Sequence, residues 1–266
     1  MKNTNKVVVI ISFLVVIGLA VFPFTACSKS ASNDGGEKIL KSPKEVKSYL
    51  NKQASAGPLT PIKVSIDADA DMLPKLVEAI NSSKAEYVSL NLIGTALTNI
   101  PSETFKGCKI YSINLPESVT SIKNSAFEDC QTLNNINIPS SVISIGDKAF
   151  YGCQSLKSLT ISNGVTSIGV SAFQGCVSLS TVTIPESVIF LRDYAFFDCM
   201  SLESITFALG TNIKDDNFGN NVVPETVFTR GKNTLKKAYS KQKEGTYEFD
   251  SIDGWRIPRR YIGFNY

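Results

Sequence analysis

The chain has 266 residues, 43% of them apolar and 19% charged, enough to bury a substantial core and unlike the composition of a disordered chain. A net charge of +3 with scattered lysines provides no basic stripe, so nucleic acid is not an expected partner. Histidine is absent, which removes Ser-His-Asp and Cys-His nucleophile pairs, His-ligated zinc and the usual general base near neutral pH; no enzyme, cofactor, metal site or catalytic residue is expected.

The first element is a leader. Lys2 and Lys6 precede an apolar stretch from Val7 to Phe22, followed by Pro23-Phe24-Thr25-Ala26 and then Cys27, the three-part pattern of a secretory signal. Its apolar core is short for a membrane-spanning helix, which needs about 20 residues. Ala26-Cys27 resembles the lipobox of bacterial lipoproteins, with Phe24 where Leu is usual, and that resemblance implies cleavage after residue 26 and lipidation of Cys27. More than one acyl chain makes such an anchor durable. Ser28 to Gly36 is Ser, Ala, Asn, Asp, Gly and Lys without apolar periodicity, and a flexible tether is expected over residues 27–41.

An N-terminal α/β cap is expected over 42–86. Ser42-Pro43-Lys44-Glu45 has capping-box spacing with Pro at the first helical position, which predicts a helix from Pro43 to Gln53. Ile62 to Ile66 reads as a strand, and Leu73, Leu76, Val77 and Ile80 form one apolar helical stripe.

From residue 87 to 210 the chain repeats itself. SAFEDCQTLNNINIPSSVISIGD at 125–147 is followed by equivalent 23-residue copies at 148–170 and 171–193, a further start at 194–207, a copy one residue shorter at 103–124 and a partial copy at 87–102. Aligned, they give columns: Phe105, Phe127, Phe150, Phe173 and Phe196; Cys108, Cys130, Cys153, Cys176 and Cys199; Val119, Val142, Val165 and Val188; Ile122, Ile145, Ile168 and Leu191. These columns are the expected core. Leu133, Ile136 and Ile138 show how each copy ends in period-2 alternation, a short strand with alternate side chains turned inward. Successive strands then pair in parallel, stacked coils share one core, and terminal coils need caps. The C-terminal cap, 211–266, is expected to hold a helix over Leu235 to Lys241 and a hairpin turning at Asp253-Gly254.

The pattern AF-x-G-C-x-S-L-x-x-I-x-I-P-x-S-V-x-x-I, clearest from Ala172 to Leu191, resembles the bacterial BspA-type leucine-rich repeats. The resemblance implies an α/β leucine-rich-repeat solenoid of short parallel strands, displayed on the cell surface or outer membrane. Some members adhere to host matrix proteins or other bacteria, so a protein partner is implied, with a structural or envelope-assembly lipoprotein facing the periplasm as the alternative. Ser162 departs from the proline column, and Asp129 and Asp198 from the glycine column; altered turn geometry is expected there.

Three constellations invite chemistry. Five repeat cysteines cannot all pair among themselves, and in-register thiols point the same way, so a buried ladder of free thiols is favoured over bridges or a metal site. Glu117 and Glu186, like Asp129 and Asp198, stand three coils apart at about 14 Å, beyond the reach of paired glycosidase carboxylates. What remains is the outward side of the strands, Asn135, Asn137, Ser158, Thr160, Ser180, Thr181, Thr183, Ser204 and Thr206, either a ligand face or residues that merely suit exposed strands.

Overall fold

A coil of 23 residues cannot bury its own apolar face, so its inward side chains find cover only in the coils above and below. The structure, a computed structural model, describes residues 39–53, 61–66, 68–213, 219, 222, 245–250 and 254–256. The leader, Cys27 and the helix expected over 235–241 lie outside the described residues.

Two sheets run along the stack. The larger joins, in spatial order, β1 (Ile39–Leu40), β2 (Ile62–Ile66), β3 (Val88–Asn91), β5 (Ile110–Asn114), β7 (Asn135–Asn137), β9 (Ser158–Thr160), β11 (Thr181–Ile184), β13 (Ser204–Phe207), β14 (Gly245–Asp250) and β15 (Gly254–Arg256). Pairing is parallel from β1 to β13 and antiparallel at β14 and β15. A second parallel ladder of two-residue strands, β4 (Asn99–Ile100), β6 (Ser121–Ile122), β8 (Ser144–Ile145), β10 (Ser167–Ile168) and β12 (Phe190–Leu191), forms where each coil turns back. Sequence reading placed its Ile and Leu residues in the core without recognising them as strands.

Between the sheets lie the apolar columns. No Phe, Cys, Val or Ile/Leu of the four aligned columns is more than 1% exposed. The five Phe rings stack face to face with centroids 5.1 Å apart and planes within 4°. The backbone N–H groups of the first four donate to Ala126, Ala149, Ala172 and Ala195 of the following coils at 2.7–2.8 Å. Fully burying a side chain of this kind stabilises by roughly 1.5–3 kcal/mol, so the stack is a large share of what holds coil to coil.

The turn side is bound together by polar groups. Ser118, Ser141 and Ser187 donate their hydroxyls to Leu97, Val119 and Val165 carbonyls of the preceding coil at 2.6–2.7 Å. Asn124 Oδ1 accepts from Asp147 N at 3.0 Å, and Asp147 Oδ1 accepts from Val170 N at 2.7 Å. That close approach explains Gly169: a Cβ there would lie 2.5 Å from Asp147 Oδ1 and 2.6 Å from Asp147 N.

The departures from the repeat pattern leave the turns unchanged. Asp129 and Asp198 hold φ of 57° and 56°, against 64°, 69° and 74° at Gly107, Gly152 and Gly175 of the same column. Aspartate is one of the few side chains that tolerates this left-handed region. Val165 N donates to Ser162 O at 3.1 Å, as Val142 N does to Pro139 O, and the Ser162 hydroxyl donates to Ile138 O.

The N-terminal elements differ in detail from expectation. Ile39 and Leu40 pair with Ser65 and Ile66, and Leu40 is buried, so the tether expected over 27–41 runs too far: the pairing of an apolar dipeptide is invisible to local composition. α1 (Pro43–Lys52) is capped by Ser42 Oγ, which accepts from Glu45 N at 3.3 Å, while Glu45 Oε2 accepts from Lys41 N, not from Ser42 N. α2 (Leu73–Asn81) buries Leu73, Leu76, Ala79 and Ile80. At the other end, Gly254, expected in a turn, pairs with Asp250 inside the ladder. Repeat-like packing also passes the expected end at 210: Ile213 and Val222 are buried, and Phe196 N donates to Val222 O at 2.6 Å.

Candidate functional site: the outward strand face

In a sheet whose inner face is filled, alternate residues must face outward, and parallel registry lines them into columns. One column runs Ser89, Ser112, Asn135, Ser158, Thr181 and Ser204; the next runs Asn91, Asn114, Asn137, Thr160, Thr183 and Thr206. Neighbours in a column stand about 4.8 Å apart. Asn135, Asn137, Ser158, Thr160, Thr181 and Thr183 are exposed, whereas Ser204 and Thr206, beside β14, are half-buried. Ser180 lies outside both columns: it precedes β11, is half-buried, and its carbonyl accepts from Glu203 N.

Sequence reasoning missed the first two rungs, Ser89/Asn91 and Ser112/Asn114. The signal was present in the triplets Ser89-Leu90-Asn91 and Ser112-Ile113-Asn114, which match Asn135-Ile136-Asn137. It was obscured by the shorter copy. A register shift between Val88 and Ser89 leaves Tyr111 as an extra residue opposite them, a bulge that re-aims a side chain. Tyr111 packs edge to face on Tyr87 at 5.8 Å, both half-buried.

Most polar groups of this face are unspent. Ser89 and Ser112 share a hydrogen bond of 2.6 Å and Asn91 Oδ1 accepts from Ile93 N at 3.1 Å. Among the described residues, the side chains of Asn114, Asn135, Asn137, Ser158, Thr160, Thr181 and Thr183 make no hydrogen bond to protein. Each amide or hydroxyl can both donate and accept.

The other constellations have structural occupations. Cys108, Cys130, Cys153, Cys176 and Cys199 are all free and buried. Four of them donate to the Phe carbonyl of the preceding coil: Cys130 to Phe105, Cys153 to Phe127, Cys176 to Phe150 and Cys199 to Phe173 at 2.8–3.3 Å. Burial pushes the Cys108 thiol up to about 12 and drives Cys130, Cys153 and Cys176 upward as well, the reverse of what a nucleophilic thiolate needs. Glu117 accepts from Ser140 at 3.1 Å, and Lys106 bridges Glu128 at 3.0 Å. For Glu128, burial raises the carboxyl, yet the Ser125 hydrogen bond and Lys106 together leave it below its ordinary value. A recess of about 290 Å³ beside Ala68, Met72 and Leu97 includes Asp69, whose Oδ1 already accepts from Met72 N. Among the described residues no group of three side chains could hold a metal ion, and no helix is long and apolar enough to cross a membrane.

Parallel ladders on two sides of a coil, with Leu, Ile, Val and Phe columns between them, define a leucine-rich-repeat protein. Residues 98–223 match six copies of the BspA type leucine rich repeat region. No curated protein matches the chain. Among solved structures, a leucine rich cell surface protein from Faecalibacterium prausnitzii is 34% identical over 45% of this chain and 32% of its own, with a TM-score of 0.43. The leucine rich repeat protein of T. pallidum is 23% identical over 60% of this chain and 85% of its own, with a TM-score of 0.44. The pneumococcal vaccine antigen PcpA is 24% identical over 51% of this chain and 32% of its own, with a TM-score of 0.39. The chain thus spans about a third of the Faecalibacterium protein's length.

Proposed function

We propose that this chain is an exported lipoprotein, acylated at Cys27, that presents its strand face at the cell surface to bind a protein partner. One observation carries the reading: turn-side hydroxyls are spent on neighbouring coils, whereas the side chains of Asn135, Asn137, Ser158, Thr160, Thr181 and Thr183 are exposed and, among the described residues, make no hydrogen bond to protein. The leader, the Ala26-Cys27 pair and the surface display implied by the repeat family support export. Repeat proteins bind macromolecules along such extended faces, and adhesion to host matrix or to other cells follows as the biological role.

Protease added to intact cells is expected to trim the chain; complete protection would overturn the surface placement and leave the periplasmic, envelope-assembly role. Cys27→Ser is expected to release the protein or leave its leader uncut, and a mature terminus found unmodified by mass spectrometry would refute lipidation. Thr160→Glu combined with Thr183→Glu should abolish partner binding, because two buried charges without counter-ions oppose association. Unchanged affinity would remove the strand face from consideration.

A further inference from the structure

One turn of the stack differs from its equivalents. Pro116, Pro139, Ser162 and Pro185 open the same four-residue turn, and the N–H groups of Val119, Val142, Val165 and Val188 close it onto their carbonyls at 3.1–3.2 Å. The third residue is Ser118, Ser141 or Ser187 in three of these turns, each clamped through its hydroxyl to the coil before. In the fourth it is Gly164, which has no hydroxyl to clamp. The residue before it is Asn163, so this turn holds the only Asn-Gly pair in the chain.

Asn-Gly is a reactive pair, because the backbone nitrogen of the second residue can close on the carboxamide carbon of the first to form a five-membered ring. Glycine leaves that approach unobstructed, having no Cβ. A folded chain permits the closure where solvent reaches the carboxamide and where neither the side chain nor the nitrogen is tied. Asn163 is exposed, and among the described residues neither its side chain nor Gly164 N–H makes a hydrogen bond to protein. Other asparagines of the coils are held. Asn124 Oδ1 accepts from Asp147 N, and the next nitrogen, Ser125 N, donates to Asp147 O at 2.9 Å. Asn81 Oδ1 accepts from Lys109 N, and Ser82 N donates to Glu78 O at 2.9 Å. Asn91 Oδ1 accepts from Ile93 N, and Leu92 N donates to Asn114 O at 3.0 Å.

We infer that Asn163 and Gly164 form a self-modification site of the folded protein. Gly164 N attacks Asn163 Cγ: the N–Cγ bond forms, the Cγ–Nδ2 bond breaks, and the amide proton departs with that nitrogen as ammonia. Water then opens the succinimide at either carbonyl, giving aspartate or, with the main chain rerouted through the side chain, isoaspartate. One water is consumed and one ammonia released, with no oxidant, reductant or cofactor. Isoaspartate adds a methylene to the main chain of a turn that has no room for it: a Cβ on Gly164 would already collide with Ser140 O and lie 3.0 Å from Val142 O. The modification therefore loosens this coil against the one before. It requires neither lipidation nor a ligand at the strand face.

The purified full chain in detergent is incubated in heavy-oxygen water, then unfolded and digested with trypsin in ordinary water. Cleavage releases Ser158–Arg192, which contains Asn163, and Asn124–Lys148, which contains Asn124, Asn134, Asn135 and Asn137. Heavy oxygen is expected at residue 163 well before it enters the second peptide, with fragmentation showing isoaspartate as well as aspartate. The aged chain should melt a few degrees below the fresh one, because the enlarged turn is overpacked. Asn163→Gln, whose closure would need a six-membered ring, should stop the incorporation and hold the melting temperature through the same incubation. Asn163→Asp, which has the charge without the added methylene, should melt with the fresh chain. No incorporation at residue 163 in the folded protein would overturn the inference, even if denaturant then allowed it, since the fold would be protecting the turn. Equal incorporation in the two peptides would overturn the selectivity, and an aged, modified chain that melts with the fresh one would overturn the loosening.

Discussion

Ser187 and Ser158 are the same residue type on adjacent coils, yet they have opposite occupations. The Ser187 hydroxyl, on the turn side, donates to Val165 O at 2.7 Å, while Ser158, on the strand face, is exposed and makes no hydrogen bond to protein among the described residues. The contrast repeats at Asn135, Asn137, Thr160, Thr181 and Thr183, which are exposed and, among the described residues, make no side-chain hydrogen bond to protein. Turn-side hydroxyls and carboxamides join one coil to the next because the chain there lacks a long ladder; beyond the Ser89–Ser112 bond, the strand-face groups from Asn135 to Thr183 are released from that task because the backbone ladder already joins the coils. Polar composition alone therefore does not mark a binding surface, whereas polar composition left unspent does.

The comparison presupposes a common rigid core, and the largest predicted effect tests it. Phe150→Ala removes a ring stacked on both sides and is expected to cost about 3–5 kcal/mol in urea unfolding; a loss under about 1 kcal/mol would mean the column is not tightly packed. Gly169→Ala drives a methyl against Asp147 and should cost about 1–3 kcal/mol, which would show that the turn-side carboxylate is held in place. Next comes the direct contrast: Ser187→Ala should lose about 1 kcal/mol, and Ser158→Ala should change stability by no more than about 0.5 kcal/mol. Equal losses at the two positions would erase the distinction between structural and available hydroxyls.

The smallest expected effect concerns the thiols. At pH 8 a thiol-specific reagent should leave all five repeat cysteines unlabelled in the native protein and label them after unfolding. Because the fold favours the neutral thiol, Cys108 contributes its full stability below its ordinary value of 9.0, and that contribution is lost as pH rises through about 12. Native-state labelling at pH 8 would show that the coils open readily.

Much of this was written along the chain. A 23-residue period with Phe, Cys, Val and Ile columns can be satisfied only by stacking equal coils, so the parallel ladder and the buried columns follow from spacing and hydropathy. Asn137, Thr160 and Thr183 could be assigned to an outward column because a strand alternates. Ser89, Asn91, Ser112 and Asn114 escaped because the shorter copy shifts the apparent register, and a bulge at Tyr111, which local pattern does not reveal, restores it. Ser180 was misassigned for a related reason: where a strand begins depends on its neighbours' pairing, not on its own residues.

By itself the sequence determined what must be inside, since a repeated apolar column has nowhere else to go, and it determined that the coils are nearly identical in length. Only the tertiary structure decided which polar groups are consumed. Whether a serine hydroxyl meets a carbonyl or meets solvent depends on the neighbouring coil, as the Ser187 bond to a carbonyl 22 residues earlier shows, and no local pattern of residues reveals it.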